Sequence, residues 1–252
     1  MPEVLDLTFF AFAIPAVIFA GISKGGFGSG AAFAATPLLA LILEPGAAIG
    51  LMLPLLMLMD VTALKPYWRK WDSPSAWALI LGALPGVAIG GALYSIADPD
   101  LFRLLIGLIA VGFVLFQLAR SNGMIPQAAR PMPGPMGAFW GMIAGFTSFI
   151  SHAGGPPAAV YLLSRQLDKT TFQATTVIVF WAINLMKFLP YFVLGIFTWQ
   201  TAKADLMLIP FAVIGVWIGV HLHHKMSERL FFGLTYIFLI VTGAKLIWEG
   251  LT

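Results

Sequence analysis

Apolar residues in this chain gather into long runs separated by short polar breaks. Runs such as 202–220 and 230–248 are apolar on every side, which favours helices over strands that alternate apolar and polar positions. A helix needs about 20 mostly apolar residues to span a membrane. The pattern predicts ten hydrophobic segments, at about 7–22, 31–43, 47–64, 75–95, 101–119, 136–149, 153–164, 172–196, 203–221 and 230–248.

The composition excludes a water-soluble domain. Hydrophobic residues fill 60% of the 252 positions and charged residues only 10%, whereas soluble domains carry about 25% charge. We therefore expect an all-α polytopic protein embedded in a lipid bilayer, because a membrane β-barrel would show alternating segments of about ten residues. The net charge of +3 comes from loop Lys and Arg and gives no reason to expect a nucleic-acid partner.

The chain contains no cysteine, which excludes disulfides, thiolate catalysis and cysteine-based metal sites. Before the first apolar run stand Glu3 and Asp6 and no basic residue, the wrong charge for a secretory signal. We expect this run to belong to the mature protein. His221, His223 and His224 lie at the end of a span, where a solvated loop is a simpler explanation than a metal site. We expect neither a metal nor a cofactor.

The two halves of the chain resemble each other. Sliding the first half by 124 positions places residues 20–67 on 144–191 with 10 identities in 48 positions, including Pro66-Tyr67 on Pro190-Tyr191. Such duplication is frequent among secondary transporters. We expect a first transmembrane repeat at 1–120, a Pro- and Gly-rich linker at 121–135 and a second transmembrane repeat at 136–252.

Each half opens with two short apolar segments around a glycine-rich break. The breaks are GISKGGFGSG at 21–30 and GFTSFISHAGGPP at 145–157. The segments that follow are 31–43 and 153–164. As helices they would be only about 20 Å long, too short to cross a hydrocarbon core about 30 Å thick. We predict that they are half-helices in broken or re-entrant pairs, each pair followed by three full spans.

Loop charge favours re-entrant pairs over full spans. With four full spans per half, the 12 loop Lys and Arg residues divide seven to five between the two faces, whereas re-entrant pairs divide them nine to three. Cytoplasmic loops carry an excess of Lys and Arg. Three crossings per half also make the halves inverted repeats, with both termini on the periplasmic side.

These features resemble the sulfite exporter TauE/SafE family of membrane transporters. The resemblance covers essentially the whole chain: the first break with its proline-bearing segment Thr36-Pro37-Leu38-Leu39, the loop Glu44-Pro45-Gly46, the second break GFTSFISHAGGPP and the duplicated halves. It implies a secondary transporter that moves a sulfur-containing anion, such as sulfite, a sulfonate or a sulfo-carboxylate, usually outward across the bacterial inner membrane. Lys24 and Phe27 depart from the glycine-richest versions of the motif, so the resemblance does not fix the substrate.

The first break is a candidate anion site. Half-helices opening after Gly30 and Gly155 would direct two helix N-termini, with their partial positive charge, at the membrane centre. Lys24 is an ammonium at bilayer depth, which either meets a substrate anion or snorkels to the interface. The glycines either approach the anion or allow tight helix packing. The candidate substrate-binding residues of this break are Ser23, Lys24, Gly25, Gly26, Phe27, Gly28, Ser29 and Gly30.

The second break and the following span complete the candidate site. His152 could bind substrate, carry a coupled proton or rest neutral against a backbone carbonyl. Asn184 and Lys187 lie three residues apart on one predicted helix and therefore share a face, which we expect to point inward together with Trp181, Phe188 and Tyr191. The candidate substrate-binding residues here are Ser148, Ser151, His152, Gly154, Gly155, Asn184 and Lys187.

Asp60 aligns with Asn184 when the first half of the chain is placed on the second. It could neutralise an internal cation or carry a coupled proton, so Asp60 and His152 are the candidate coupling residues. The alternative places Asp60 at the cytoplasmic interface, five residues before Lys65. An anion channel or uniporter would use the same helix ends and stays open as an alternative. An enzyme is disfavoured, because no histidine follows Ser29 at a helical spacing that would activate it.

Overall fold

The computed structural model describes residues 6–27, 31–124, 131–222 and 228–252, and within these ranges the chain is helical, without a strand. The all-α membrane architecture predicted from the sequence is confirmed. A π-helical turn, Ser23–Phe27, continues the first helix, and a 3-10 turn, Ala32–Ala34, precedes the second. The α-helices are α1 (Leu7–Ile22), α2 (Ala35–Leu39), α3 (Pro45–Tyr67), α4 (Ser73–Ile96), α5 (Pro99–Ser121), α6 (Gly134–Ser151), α7 (Gly155–Ser164), α8 (Lys169–Val193), α9 (Trp199–Leu222) and α10 (Glu228–Leu251).

Aspartates mark the start of four helices. The carboxylates of Asp6, Asp72, Asp98 and Asp168 each accept a hydrogen bond from a first-turn backbone N–H, at 2.6 to 3.1 Å. Such caps satisfy N–H groups that a helix leaves unpaired at its start. Proline stands in the first turn of α3, α4 and α5, where its missing N–H costs nothing. The polar breaks of the sequence are therefore also the signals at which helices begin.

In the described part of the chain, seven helices are long and apolar enough to cross a membrane. Six of them are α3, α4, α5, α8, α9 and α10, which correspond to the six full spans predicted. The seventh is Leu7–Gly26, which the sequence predicts to be one arm of a broken pair. α1 ends at Ile22, where the sequence predicts the end of the segment, but the chain runs directly into the π-helical turn instead of breaking at its first glycines.

The second arm of the first broken pair is shorter than predicted. The segment 31–43 is helical only over the 3-10 turn and the five-residue α2. Glu44 has an extended backbone (ψ 142), the conformation preferred by a residue before proline, so no helix runs on into α3. The second pair, α6 and α7, matches the prediction closely, with ten residues in its second arm.

α1 packs parallel to α9 along a seam of glycines. Ile18 lies beside Gly215 and Ile22 beside Gly219, so the residue numbers rise together along the two helices. A Cβ added to Gly21 would lie 2.8 Å from the Cα of Gly215. Small residues of this kind let helix backbones approach closely within a membrane.

α4 and α6 form a second parallel pair. Gly82 lies against Ala138 and Gly86 against Met142. A Cβ on Gly145 would lie 2.4 Å from a carbonyl oxygen of α4, so this seam also depends on glycine. Each of the two broken pairs is thus held by a long helix of the other half.

The remaining long helices pair in opposite directions. Asp60 of α3 contacts Asn184 of α8, and Gly50 contacts Ile196 just beyond α8, so these two helices are antiparallel. They bring the two broken pairs to the middle of the protein. α5 and α10 are also antiparallel, with Leu104 against Gly250 and Gly107 against Gly243.

α6 and α7 form a hairpin that enters and leaves at the same face. The hydroxyl of Ser164, at the end of α7, accepts a hydrogen bond from the Met132 N–H at 3.2 Å. Arg165 donates to the Met132 carbonyl at 3.3 Å. Met132 precedes α6, so the chain returns to the face from which it started, the geometry expected of a re-entrant pair. The predicted tip of the first pair, residues 28–30, lies outside the described residues.

Candidate functional site

The π-helical turn after α1 places Lys24 inside the protein. Its ammonium forms an ion pair with the carboxylate of Asp60 on α3 and lies 5.7 Å from the centre of the Phe180 ring. The backbone carbonyl of Lys24 accepts a hydrogen bond from Gln173 of α8 at 2.9 Å. π-Helical turns are frequent at functional sites, and this one brings the lysine to the two antiparallel core helices.

Both oxygens of the Asp60 carboxylate have partners. Lys24 donates to one, and the side-chain amide of Asn184 donates to the other at 2.7 Å. The prediction that Asp60 neutralises an internal cation is thereby confirmed. Its interfacial alternative is wrong, and so is snorkelling of Lys24, because Lys24 is only 4% exposed and Asp60 is fully buried. An unpaired charge at this depth is costly, and the ion pair offsets that cost for both groups.

A second buried cation lies one helical turn from Asn184. The ammonium of Lys187 donates to the Ser148 carbonyl at 3.0 Å, to the Ser148 hydroxyl at 2.9 Å and to Nδ1 of His152 at 2.7 Å. These three contacts use all three N–H donors of the ammonium. Among the described residues no carboxylate lies within ion-pair distance of Lys187. The second cation is therefore held by neutral groups alone.

His152 ends α6 in a left-handed backbone conformation, with φ 58 and ψ 12. Residues other than glycine are uncommon in this conformation, although histidine is one of the enriched types. The corresponding position of the first repeat, residue 28, carries glycine. The conformation places the imidazole between Lys187 and the Ile49 carbonyl, which lies 3.0 Å from Nε2. The strained backbone thus positions the side chain that holds the second cation.

The partners of His152 define its protonation. A carbonyl oxygen can only accept, so Nε2 carries the hydrogen that faces Ile49, and the lone pair of Nδ1 accepts from Lys187. The imidazole is therefore neutral, as one sequence alternative predicts. A second proton, on Nδ1, would point at the ammonium. Protonation of His152 would therefore displace Lys187.

With Lys187 protonated, the two clusters together carry one positive charge that no carboxylate among the described residues offsets. Lys24 and Asp60 cancel each other, and His152 is neutral, which leaves the charge of Lys187. Charges act strongly on one another in surroundings of low dielectric constant, so an ammonium without a counter-charge is costly here.

Gly25 and Gly26 of the first break pack against α9. A Cβ added to Gly25 would lie 2.3 Å from the Val216 carbonyl oxygen, and one added to Gly26 would lie 2.4 Å from that of Gly219. Their placement agrees with the packing alternative rather than with direct contact to an anion. Ser23 is buried in the same turn.

The second break supplies the predicted helix start. Gly154 is the N-cap of α7 and Gly155 its first residue, and both are buried. Ser151 donates to the Thr147 carbonyl of its own helix at 3.3 Å. The first break has no equally long counterpart, because α2 has only five residues. A helical start is present at Ala32, so the prediction fails for the first half only in the length of the arm.

Some predicted residues cannot be placed within the site. Phe27 ends the π-helical turn, and Gly28, Ser29 and Gly30 lie outside the described residues. His223 and His224 also lie outside them, whereas His221 is exposed and contacts Trp217. Within the described ranges, no three His, Asp or Glu side chains gather in a way that could hold a metal ion.

The inward face of α8 is narrower than predicted. Asn184, Lys187 and Tyr191 are buried, but Trp181 is only partly buried and Phe188 is 45% exposed. Phe188 lies about 100° from Lys187 around the helix axis, which carries it off the buried stripe. The aromatic lining expected around the two polar residues therefore reduces to Tyr191.

Two further residues of the site, Gln173 and Tyr67, carry only weak sequence signals, whereas the sequence predicts Tyr191 on the inward face of α8. Gln173 is buried beside the first break, where it donates to the Lys24 carbonyl. Its only signal in the sequence is that it is a polar residue within an apolar span. The hydroxyl of Tyr67 donates to the Gly25 carbonyl at 3.4 Å, and that of Tyr191 donates to the Phe149 carbonyl at 2.6 Å. The Pro-Tyr identity between the two halves is the signal from which the tyrosines can be found.

Comparison with known protein families gives a match over nearly the whole chain. The family described as Sulfite exporter TauE/SafE matches residues 13–246. Neither the curated proteins nor the solved structures contain a match to the chain. The matched range includes every residue of the two charged clusters.

Proposed function

Since the chain belongs to the sulfite exporter TauE/SafE family, we propose that it exports a small, singly charged sulfur anion from the bacterial cytoplasm in a proton-coupled cycle. The resemblance seen in the sequence is thereby confirmed. Members of this family are transporters and not enzymes, so the chain is a membrane transporter of a sulfur-containing anion.

The observation that carries the proposal is the unbalanced ammonium of Lys187 in the protein core. Its present partners are a backbone carbonyl, a hydroxyl and a neutral imidazole. An anionic oxygen is a stronger acceptor than any of these, because hydrogen bonds between charged groups are shorter and stronger. An anion that reaches Lys187 gains this contact and neutralises the charge that the core holds without it.

The charge count favours a monoanion. Hydrogensulfite and simple sulfonates carry one negative charge, which equals the single excess positive charge of the centre. Their oxygens accept hydrogen bonds, and the Lys187 ammonium and the Ser148 hydroxyl are adjacent donors. A sulfo-carboxylate carries two negative charges and would require one more positive charge, which a proton on His152 would supply.

The same contacts suggest how a proton is coupled to the anion. A proton that reaches Nδ1 of His152 displaces the ammonium of Lys187 and adds a second positive charge beside it. A proton on Asp60 would instead release Lys24 from its ion pair. Either event increases the positive charge offered to the anion, so proton and anion binding would reinforce each other.

Helix packing supports the two transmembrane repeats and their inverted arrangement. In a duplication, α1 corresponds to α6, α3 to α8, α4 to α9 and α5 to α10. Exchanging the halves therefore turns the parallel pair α1 with α9 into the parallel pair α6 with α4. The antiparallel pairs α3 with α8 and α5 with α10 are each converted into themselves. Because α3, α4 and α5 alternate in direction, as do α8, α9 and α10, each long helix then runs opposite to its counterpart. Asp60 and Asn184 occupy equivalent positions and touch, which is expected at an axis relating the halves.

Loop charge supports an orientation in the bacterial inner membrane. The face where α3 ends and α8 begins carries Arg69, Lys70, Arg165 and Lys169, whereas Glu44, Asp98 and Asp100 lie where α3 and α5 begin. The positive-inside tendency assigns the basic face to the cytoplasm. α1 begins at the other face, so the N-terminus would be periplasmic, and α10 ends there as well.

Flux through the purified protein tests the proposal. The transporter is reconstituted in liposomes loaded with labelled sulfite, and efflux is followed with and without an imposed pH difference for the parent, His152→Gln and Asp60→Asn. We expect parent efflux to saturate with sulfite and to accelerate with the proton gradient. The variant that lacks the coupled proton site should keep exchange of anion for anion and lose the response to the gradient.

Phe192→Ala serves as the matched control, because Phe192 lies on the same helix as Lys187 and is exposed. It should transport like the parent. Parent efflux that neither saturates nor responds to the pH difference would exclude proton coupling and favour the channel or uniporter. If the protein transports simple carboxylates but neither sulfite nor sulfonates, the proposed substrate class is wrong.

A further inference from the structure

Two tyrosines make the same hydrogen bond in the two halves of the chain. Tyr67 ends α3 and donates to the Gly25 carbonyl at 3.4 Å, and Tyr191, in the last turn of α8, donates to the Phe149 carbonyl at 2.6 Å. The two donors are 124 positions apart, and so are the two acceptors. Each hydroxyl thus fastens the end of the first helix of its own half to the core helix of that half.

The two hydrogen bonds lie toward opposite faces of the membrane. α3 and α8 are antiparallel, and each tyrosine stands at or near the C-terminal end of its helix. Tyr67 is therefore near the basic face, where Arg69 and Lys70 follow α3. Tyr191 is near the face where α3 begins.

A cavity of about 340 Å³ lies just beyond the C-terminal end of α8, at the face where α3 begins. It is lined by the start of α3, the turn between α4 and α5 and the turn after α8, and Tyr94 forms part of its wall. The Tyr94 ring lies 6.5 Å from the Phe149 ring, which lies 4.9 Å from the Tyr191 ring. A volume of this size accommodates a small organic ion. Its wall also contains Glu44, which is ion-paired with Arg103, and Asp98, which caps α5.

One aromatic layer, formed by Phe149 and Tyr191, lies between the Tyr94 wall of this cavity and the charged centre. The Tyr191 ring lies 6.2 Å from the His152 ring and 5.9 Å from the Lys187 ammonium. Phe149 and Tyr191 are both fully buried. A Cβ added to Gly90 would lie 2.6 Å from that of Phe149, so the close approach of α4 keeps Phe149 in this layer. Phe149 and Tyr191 thus lie between Tyr94 on the cavity wall and the charged centre.

We propose that Phe149 and Tyr191 form the outer gate of the anion pathway, that Tyr67 and Gly25 form its inner counterpart, and that the cavity is the outer vestibule. The proposal rests on the transport of a small sulfur anion proposed above. Transport by alternating access requires that one gate open while the other stays closed. The hydrogen bond of the outer gate is the shorter of the two, and Tyr191 is more deeply buried than Tyr67, so the outer gate is the more firmly closed here.

Because the chain has no cysteine, a single introduced cysteine reports on one position. Ala97→Cys places the thiol in the vestibule, and Ser148→Cys places it at the charged centre beside Lys187. The probe is a membrane-impermeant methanethiosulfonate that carries a sulfonate group, added to either face of oriented membrane vesicles. The measured quantity is the rate at which each thiol is modified.

We expect the vestibule cysteine to react rapidly from the outer face and the Ser148→Cys thiol to be protected from that face. Tyr191→Ala in the Ser148→Cys background should raise its modification rate from the outer face at least about tenfold, and Tyr67→Ala should do so from the inner face. The lipid-facing Phe192→Ala is the matched control and should leave both rates unchanged.

Equal modification of the Ser148→Cys thiol with and without Tyr191→Ala would overturn the gate, and so would acceleration by both tyrosine variants at the same face. If Tyr191→Ala does not elute as a folded protein, Tyr191→Phe removes only the hydroxyl and should give a smaller increase; an unchanged rate in that variant would also overturn the proposal. The labelling needs no transported substrate. Absence of sulfite flux in the parent would therefore contradict the proposed function and leave the result for the gates standing.

Discussion

The two charged clusters of the core differ in how each accommodates a buried lysine. At the first break, Lys24 is neutralised by a carboxylate, whose second oxygen is held by Asn184. At the second break, Lys187 is surrounded only by neutral acceptors from Ser148 and His152. The helices around the two clusters correspond, but their charges do not.

This difference separates a structural charge from a binding charge. A balanced, buried ion pair loses much when one partner is removed, because the other charge is left unpaired. An ammonium without a counter-charge can instead be neutralised by a bound anion. We therefore expect substitutions at the first cluster to affect mainly folding and substitutions at the second to affect mainly anion binding.

The largest effect is expected from Lys24→Met, which leaves the carboxylate of Asp60 buried without its cation. Breaking a buried ion pair in this way costs about 3–5 kcal/mol. Denaturant unfolding of the purified protein in detergent should show a loss of this size. The double variant Lys24→Met/Asp60→Leu, which removes both charges, should recover most of it. If the single variant is as stable as the parent, the ion pair is not what neutralises Lys24.

Lys187→Met should have a smaller effect on stability and a clear effect on the anion. A hydrogen bond to a charged group contributes about 1.5–3 kcal/mol, so sulfite binding should weaken by about 10- to 100-fold. Titration calorimetry on the purified protein measures this loss, and unfolding measured in parallel checks that the variant is folded. Lys187→Arg should not restore binding, because the planar guanidinium does not fit contacts made by a point charge. Parent-like affinity in a folded Lys187→Met would remove Lys187 from the anion site.

The smallest effect is expected from exchanging the two residues at the proposed repeat axis. Asp60→Asn alone leaves Lys24 without a counter-charge, whereas Asp60→Asn/Asn184→Asp returns a carboxylate to a position one hydrogen bond away. The double variant should come within about 1 kcal/mol of the parent in unfolding free energy. A double variant no more stable than Asp60→Asn would show that the two sides of the pair are not interchangeable.

Much of the architecture is already determined by the sequence. Apolar runs of about 20 residues can be satisfied in a membrane only by helices, so the six full spans and the all-α class follow from the pattern alone. The second broken pair is also predictable, because glycine and proline concentrate between Ser151 and α7. The ionisable residues Lys24, Asp60, His152 and Lys187 stand out within the spans because burying such groups is expensive, and this singles them out as candidates.

Which of these residues meet was decided only by the tertiary structure. Asp60 and Asn184 are 124 residues apart, and Lys24 reaches Asp60 only because α1 continues into a π-helical turn that no local pattern predicts. Gly21, Gly25 and Gly26 of the first break proved to be packing surfaces because α9, nearly 200 residues away, lies against them. Periodicity in a sequence shows which side of a helix is apolar, but it does not identify the helix that packs against that side. The assignment of one lysine to a carboxylate and the other to neutral groups is a property of those neighbours, and so it appears only when the helices are packed.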